Sequence, residues 1–239
     1  MRVEEVHGLT VRITGGEDRK GGGEGPLVVL MHGFGAPGED LVPLWRMMDV
    51  PTRVRFAFPA APIELGGEFG GHDARAWWRI DMQALLEAQM SGRFREMGDD
   101  VPDELPAARA SVLAAIDALT TELRVPEGQL VLGGFSQGAM LALDVALHTE
   151  RALGGLALMS GTLIARGEWA PRMPARRGLK VVQSHGTIDP ILPFAVAEKL
   201  RDLMRDAGLE VDWIPFRGQH QIPPMVLDRV AALLRSLGA

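Results

Sequence analysis

Short apolar runs alternate along this chain with longer stretches of helical spacing. That alternation constrains the fold more than any other feature. The runs "LVVLM" (Leu27 to Met31), "VRFAF" (Val54 to Phe58), "QLVLGGF", "LGGLALMS", "LKVVQSH" and "EVDWIPF" are too short for helices and read as buried strands. Among them lie "LPAARASVLAAIDALTTEL", "AMLALDVALHTE", "FAVAEKLRDLMRDAG" and "MVLDRVAALLRSLG". In the first of these, Leu105, Val112, Ile116, Leu119 and Leu123 recur at near-helical spacing. Gly208 sits where a helix C-terminus favours glycine. Strands followed by helices imply an α/β chain with a mostly parallel central sheet and helices on both faces. Ahead of them, "LTVRI" and "LVVLM" are joined by the glycine-rich "TGGEDRKGGGEG", which predicts an antiparallel N-terminal hairpin at a sheet edge.

No repeat or linker divides the chain, so the expectation is one domain over residues 1–239. One stretch breaks the alternation, from Gly66 to about Glu104. It contains "AWWRI" and a helix-like face of Met82, Leu85, Leu86 and Met90. It reads as an excursion inserted over one edge of the sheet. Two readings stay open: an ordinary surface helix with a loop, or a partial lid whose Leu86 and Met90 touch substrate above Trp77.

Composition excludes several classes of function. A net charge of -6 argues against a nucleic-acid partner, because phosphate binding needs clustered Lys and Arg. With no cysteine there is no disulfide, no thiolate metal site and no Cys nucleophile. "MRVEEVHGLT" lacks a signal-peptide core, and no apolar run reaches membrane-spanning length. Cytoplasmic location without stable membrane insertion is the expectation, and a homodimer is compatible with it.

In open α/β sheets chemistry gathers past the C-terminal ends of the strands. Ser136 follows "LVLGGF", Asp189 follows "LKVVQSHGTI", His220 follows "VDWIPFRGQ", and Phe34 follows "LVVLM" in "HGFGA". Ser136 is flanked by Gly134 and Gly138 in Gly-x-Ser-x-Gly, between an apparent strand and an apparent helix. Glycine turns and a serine helix cap would also produce that spelling. Asp and His following in that order favour a nucleophile elbow instead. A serine hydroxyl is a weak nucleophile and needs an imidazole to take its proton. A carboxylate fixes the tautomer of that imidazole. Two N–H donors must face the oxyanion, and the amides of Gln137 and Phe34 are the candidates. His32 and His185 read as braces of the oxyanion and aspartate loops, His72 as a surface or pocket-lining residue, and His7 and His148 as peripheral. No spacing of His, Asp and Glu suggests a metal site.

"LMHGFGAPGEDLVPL", "AWWRID", "GGFSQGAMLAL" and "SHGTIDPILP" resemble the phospholipase/carboxylesterase family of α/β hydrolases, which includes acyl-protein thioesterases and lysophospholipases. The likeness runs from about Leu27 to the C-terminus. It implies an α/β-hydrolase fold, esterase activity without metal or cofactor, and a small-molecule ester as substrate. It places the nucleophile at Ser136, the acid at Asp189, the base at His220, and the oxyanion donors at Phe34 and Gln137. Two departures stand out: Gln219 is interposed between Gly218 and His220, and the 66–104 excursion is longer than in the compact family form. The expectation is a serine carboxylesterase. A lysophospholipase or acyl thioesterase with the same residues is the alternative, and a non-catalytic binding protein of the same fold is a more distant one.

Overall fold

The computed structural model describes residues 1–66, 73–81, 87 and 98–237. Its chain order begins with β1 (Arg2–Val6), β2 (Leu9–Gly15), β3 (Leu27–Met31), β4 (Arg55–Pro59), β5 (Ile63–Glu64) and β6 (Arg75–Ala76). It continues through helix α1 (Leu105–Glu122), β7 (Leu130–Phe135), α2 (Gln137–His148), β8 (Gly155–Met159) and the short α3 (Arg166–Trp169). β9 (Lys180–Gly186), α4 (Phe194–Asp206), β10 (Glu210–Phe216) and α5 (Pro224–Arg235) complete it. Among the described residues eight strands make one sheet in the order β1-β2-β4-β3-β7-β8-β9-β10, and β5 pairs with β6 in a small separate ribbon. From β4 to β10 the neighbours within the large sheet are parallel, while β1–β2 and β2–β4 are antiparallel.

Strand alternation explains how the two faces are filled. Leu27, Val29 and Met31 of β3 point into a core shared with α1, α2 and α4, among them Val112, Leu141 and Leu200. Val28 and Leu30 point the other way, into a core with Val226, Val230 and Leu234 of α5. A strand buried on both faces reads as a near-continuous apolar run, and "LVVLM" has no polar position. On the first face Asp144 is fully buried, yet it accepts from Arg109 Nε at 2.6 Å and Trp169 Nε1 at 2.9 Å. One carboxylate therefore ties α1, α2 and α3 together.

The N-terminal hairpin is present, but its strands are β1 and β2, turned at His7 and Gly8. "LTVRI" does not pair with "LVVLM"; it pairs antiparallel with β4, and β3 lies one place further in. The alternating polar residues of "RVEEV" fit a strand with one exposed face, and that edge strand was missed in the sequence. The glycine-rich segment is consequently a crossing between non-adjacent strands. Arg55, fully buried at the start of β4, donates to the carbonyls of Gly23, Gly25 and Leu123 and so fixes the crossing against the end of α1.

Candidate active site

β7 ends at Phe135 and α2 begins at Gln137, so Ser136 alone makes the turn between them. Its backbone is at φ 55 and ψ -118, a conformation that non-glycine residues avoid. The turn is held by Ser136 N–H donating to Met159 O of β8 at 2.9 Å. Glycine is required on both sides: a Cβ on Gly134 or Gly138 would collide with the carbonyl of Met31. The elbow is thus a strained turn pressed against β3; the amides of Ala139 and Met140 donate to Ser136 O, while those of Gln137 and Gly138, at the very start of α2, have no acceptor within the helix. Such a terminus favours developing negative charge.

Past β9, Asp189 is held by its own loop. Oδ1 accepts from the amides of Ile191 at 2.8 Å and Leu192 at 3.0 Å. Oδ2 lies 2.6 Å from Nδ1 of His220. Burial alone would raise the carboxyl, but the His220 hydrogen bond and charge and the two amides outweigh it, and Asp189 is held below the usual carboxylate range. The interposed Gln219 is accommodated because Gly186 has no side chain: the carbonyls of Gly218 and Gln219 occupy the place of its Cβ. Ile188 N–H donates to Gly218 O at 3.2 Å, docking the two loops. The His220 ring lies 4.7 Å from that of Phe135, the residue before Ser136. His185 is buried with Nε2 2.9 Å from Leu192 O and 3.4 Å from Asp189 Oδ2. Burial lowers its pKa, keeping it neutral as a brace.

Gly33 to Ala36 form the other wall, close enough that a Cβ on Gly33 would sit 3.4 Å from the Ser136 Cβ. His32 braces this loop, with Nδ1 2.8 Å from Gly33 O and Nε2 accepting from Ala61 N at 2.9 Å. A charged ring cannot accept that bond, and burial, partly opposed by the Gly33 carbonyl, lowers His32 to about 4. An unfolded chain takes up a proton at about pH 6.5, before the folded one does. The stability that neutral His32 confers is therefore full above pH 6.5 and disappears as pH falls toward 4, a loss of about 3 kcal/mol. Urea unfolding measured across this window will show a steep acid loss, and His32→Gln will flatten it. An equal slope in the variant would contradict the assignment.

Of the pocket residues expected from sequence, Trp77 is only 1% exposed and donates from Nε1 to His32 O at 3.0 Å. It lies beneath the loop after β3. Leu86 and Met90, with Met82, Leu85 and His72, lie outside the described residues. Two contributors were not foreseen. Phe135 was read only as the end of a strand, and Arg75 pairs with the loop through its backbone, which no side-chain pattern announces. Among the described residues no group of three His, Asp or Glu is placed to hold a metal ion, and no helix is long and apolar enough to cross a membrane.

The chain resembles known proteins in sequence and in fold. The chain is 28% identical over 225 residues to acyl-protein thioesterase 1 of Gibberella zeae, covering 87% of this chain and 88% of that protein. It is 26% identical to acyl-protein thioesterase 1 homolog 1 of Dictyostelium discoideum, over 84% and 85% of the two chains. The crystal structure of esterase PE8 superposes with a TM-score of 0.76 at 25% identity, covering 96% and 99% of the two chains. The Bacillus cereus carboxylesterase shares the fold at a TM-score of 0.69 and 21% identity, over 96% and 94%. The Phospholipase/Carboxylesterase profile matches residues 19–237, nearly the whole length over which the sheet, the elbow and both loops are built. With that match, the chain belongs to the phospholipase/carboxylesterase family and is a serine hydrolase of the α/β-hydrolase fold.

Proposed function

We propose that the protein is a carboxylesterase that works through an acyl-enzyme on Ser136, with His220 as base, Asp189 as its orienting acid, and the Phe34 and Gln137 amides as oxyanion donors. The observation that carries this reading is the 2.6 Å contact between His220 Nδ1 and Asp189 Oδ2, with the His220 ring 4.7 Å from that of Phe135, the residue before the strained Ser136. With Nδ1–H directed at the carboxylate, Nε2 is the basic nitrogen. It takes the Ser136 proton as Oγ bonds to the substrate carbonyl. Collapse of the tetrahedral intermediate breaks the bond to the leaving alcohol, which departs with that proton. Water then repeats the sequence and frees the acid. All steps are complete with these side chains and water.

A thioester would follow the same path with a thiol leaving group. The curated relatives named acyl-protein thioesterases favour that second reading. The choice rests on the leaving group: paired oxygen and sulfur esters of one acyl chain, compared by kcat/KM, separate the two. A pure binding protein gains nothing from a strained serine, and its stability would be better served by glycine there. A fluorophosphonate tests the core of the proposal. It should form one adduct, on the peptide containing Ser136. No adduct, or an adduct elsewhere, would overturn it.

A further inference from the structure

The residue after the elbow serine has a second set of bonds. The Gln137 side chain is fully buried; its Oε1 accepts from the amide of Trp77 at 2.8 Å and its Nε2 donates to the carbonyl of Trp78 at 2.8 Å. The segment so held, residues 74–78, reaches the oxyanion loop at its other end. Gly35 N–H donates to Arg75 O at 2.9 Å, and Arg75 N–H donates to Ala36 O at 3.0 Å. The Trp77 indole adds its bond to His32 O at the root of that loop. One short strap therefore touches both sides of the hole, the elbow through Gln137 and the Phe34 loop through Arg75 and Trp77.

We infer that the Gln137 carboxamide is a positioning residue: through the strap it fixes the separation of the Gln137 and Phe34 amides, so one residue supplies a donor from its backbone and sets the other's place with its side chain. This rests on the esterase reading above. The chemistry demands a carboxamide. One atom must accept from Trp77 N–H and another must donate to Trp78 C=O, at a site closed to water. A carboxylate would set an acceptor against the Trp78 carbonyl, and a thioether would leave both backbone groups unpaired. Oxyanion donors act by being in place before charge develops, so a small drift of one donor weakens the transition state more than the ground state.

Gln137→Met and Gln137→Glu test this in the full-length protein. Wild type is first labelled with a fluorophosphonate and assayed on p-nitrophenyl butyrate; if it neither labels nor turns over, it is the esterase reading that fails rather than the role of the Gln137 carboxamide. Given an active wild type, both variants should lose about 10- to 100-fold in kcat with KM within about twofold. Affinity for a trifluoromethyl ketone, which forms an oxyanion on Ser136, should fall in step with kcat. Affinity for the matching secondary alcohol, with CH(OH)CH3 in place of the trifluoromethyl ketone group, which forms none, should hold. If either variant folds with a lowered Tm yet keeps kcat and trifluoromethyl ketone affinity within about threefold, Gln137 is packing alone and the inference is overturned. Should Gln137→Met not fold, Gln137→Glu, which keeps the shape and the acceptor to Trp77, decides the matter on the same readings.

Discussion

Ser136→Ala will lower kcat/KM for ester hydrolysis by at least about a thousandfold while leaving the fold in place. The geometry makes a clean loss expected. The turn is held by the backbone bond from Ser136 N–H to Met159 O and by the glycines against β3, none of which involves the hydroxyl. The side chain makes no capping bond at the start of α2, so alanine costs the helix nothing there. What remains is catalysis by the oxyanion donors on attacking water, which is slow. Steady-state rates with circular dichroism on the same sample check this. A folded alanine variant with substantial activity would move the nucleophile elsewhere.

Asp189→Asn will also be severe, on the order of ten-thousandfold in kcat. The position of the carboxylate explains why the loss is so large. Oδ1 faces two amide donors, from Ile191 and Leu192, so an asparagine must place its carbonyl oxygen there. Its NH2 then faces both His220 Nδ1 and the Nε2 of His185. To avoid donor meeting donor, His220 must carry its proton on Nε2, the atom that has to receive one. Asp212, which accepts from Arg229 Nε at 2.7 Å on the outer strand β10, is the control. Asp212→Asn should stay within about threefold of wild type, because a surface ion pair is worth little. If the two variants exchanged effects, the acid would be Asp212.

Much of this was legible before any coordinates. Strands such as "LVVLM" and "GLALM" show themselves because burial on both faces leaves little room for polar residues. Gly134, Ser136 and Gly138 form a spelling that one turn requires, and chain order alone put Asp189 and His220 at the same sheet end. The edge strand "RVEEV" was lost because one exposed face admits charge and weakens the signal. The pairing of β2 with β4 was unreadable for another reason: adjacency in a sheet is decided by packing across the whole molecule, and neighbours in sequence are only its first approximation. The strap was invisible because its bonds run from backbone to backbone and from backbone to one amide. Trp77 announced itself as large and apolar, which placed it in a pocket when its indole N–H in fact secures the root of a loop.

The dependence of the elbow on Met159 has a consequence for the life of the chain before it is complete. β3 and its neighbour β4 are both made early, but the other partners of Leu27 and Val28, Leu130 and Val131, are synthesised much later. Ser136 gains its outer anchor only when β8 docks after that, and Asp189 and His220 emerge later again. On the mechanism proposed above, a chain whose β8 has not docked carries Ser136 as an ordinary alcohol. Acylation of Ser136 would then serve as a stopwatch for maturation, reporting the moment at which the final third of the polypeptide has closed over the first.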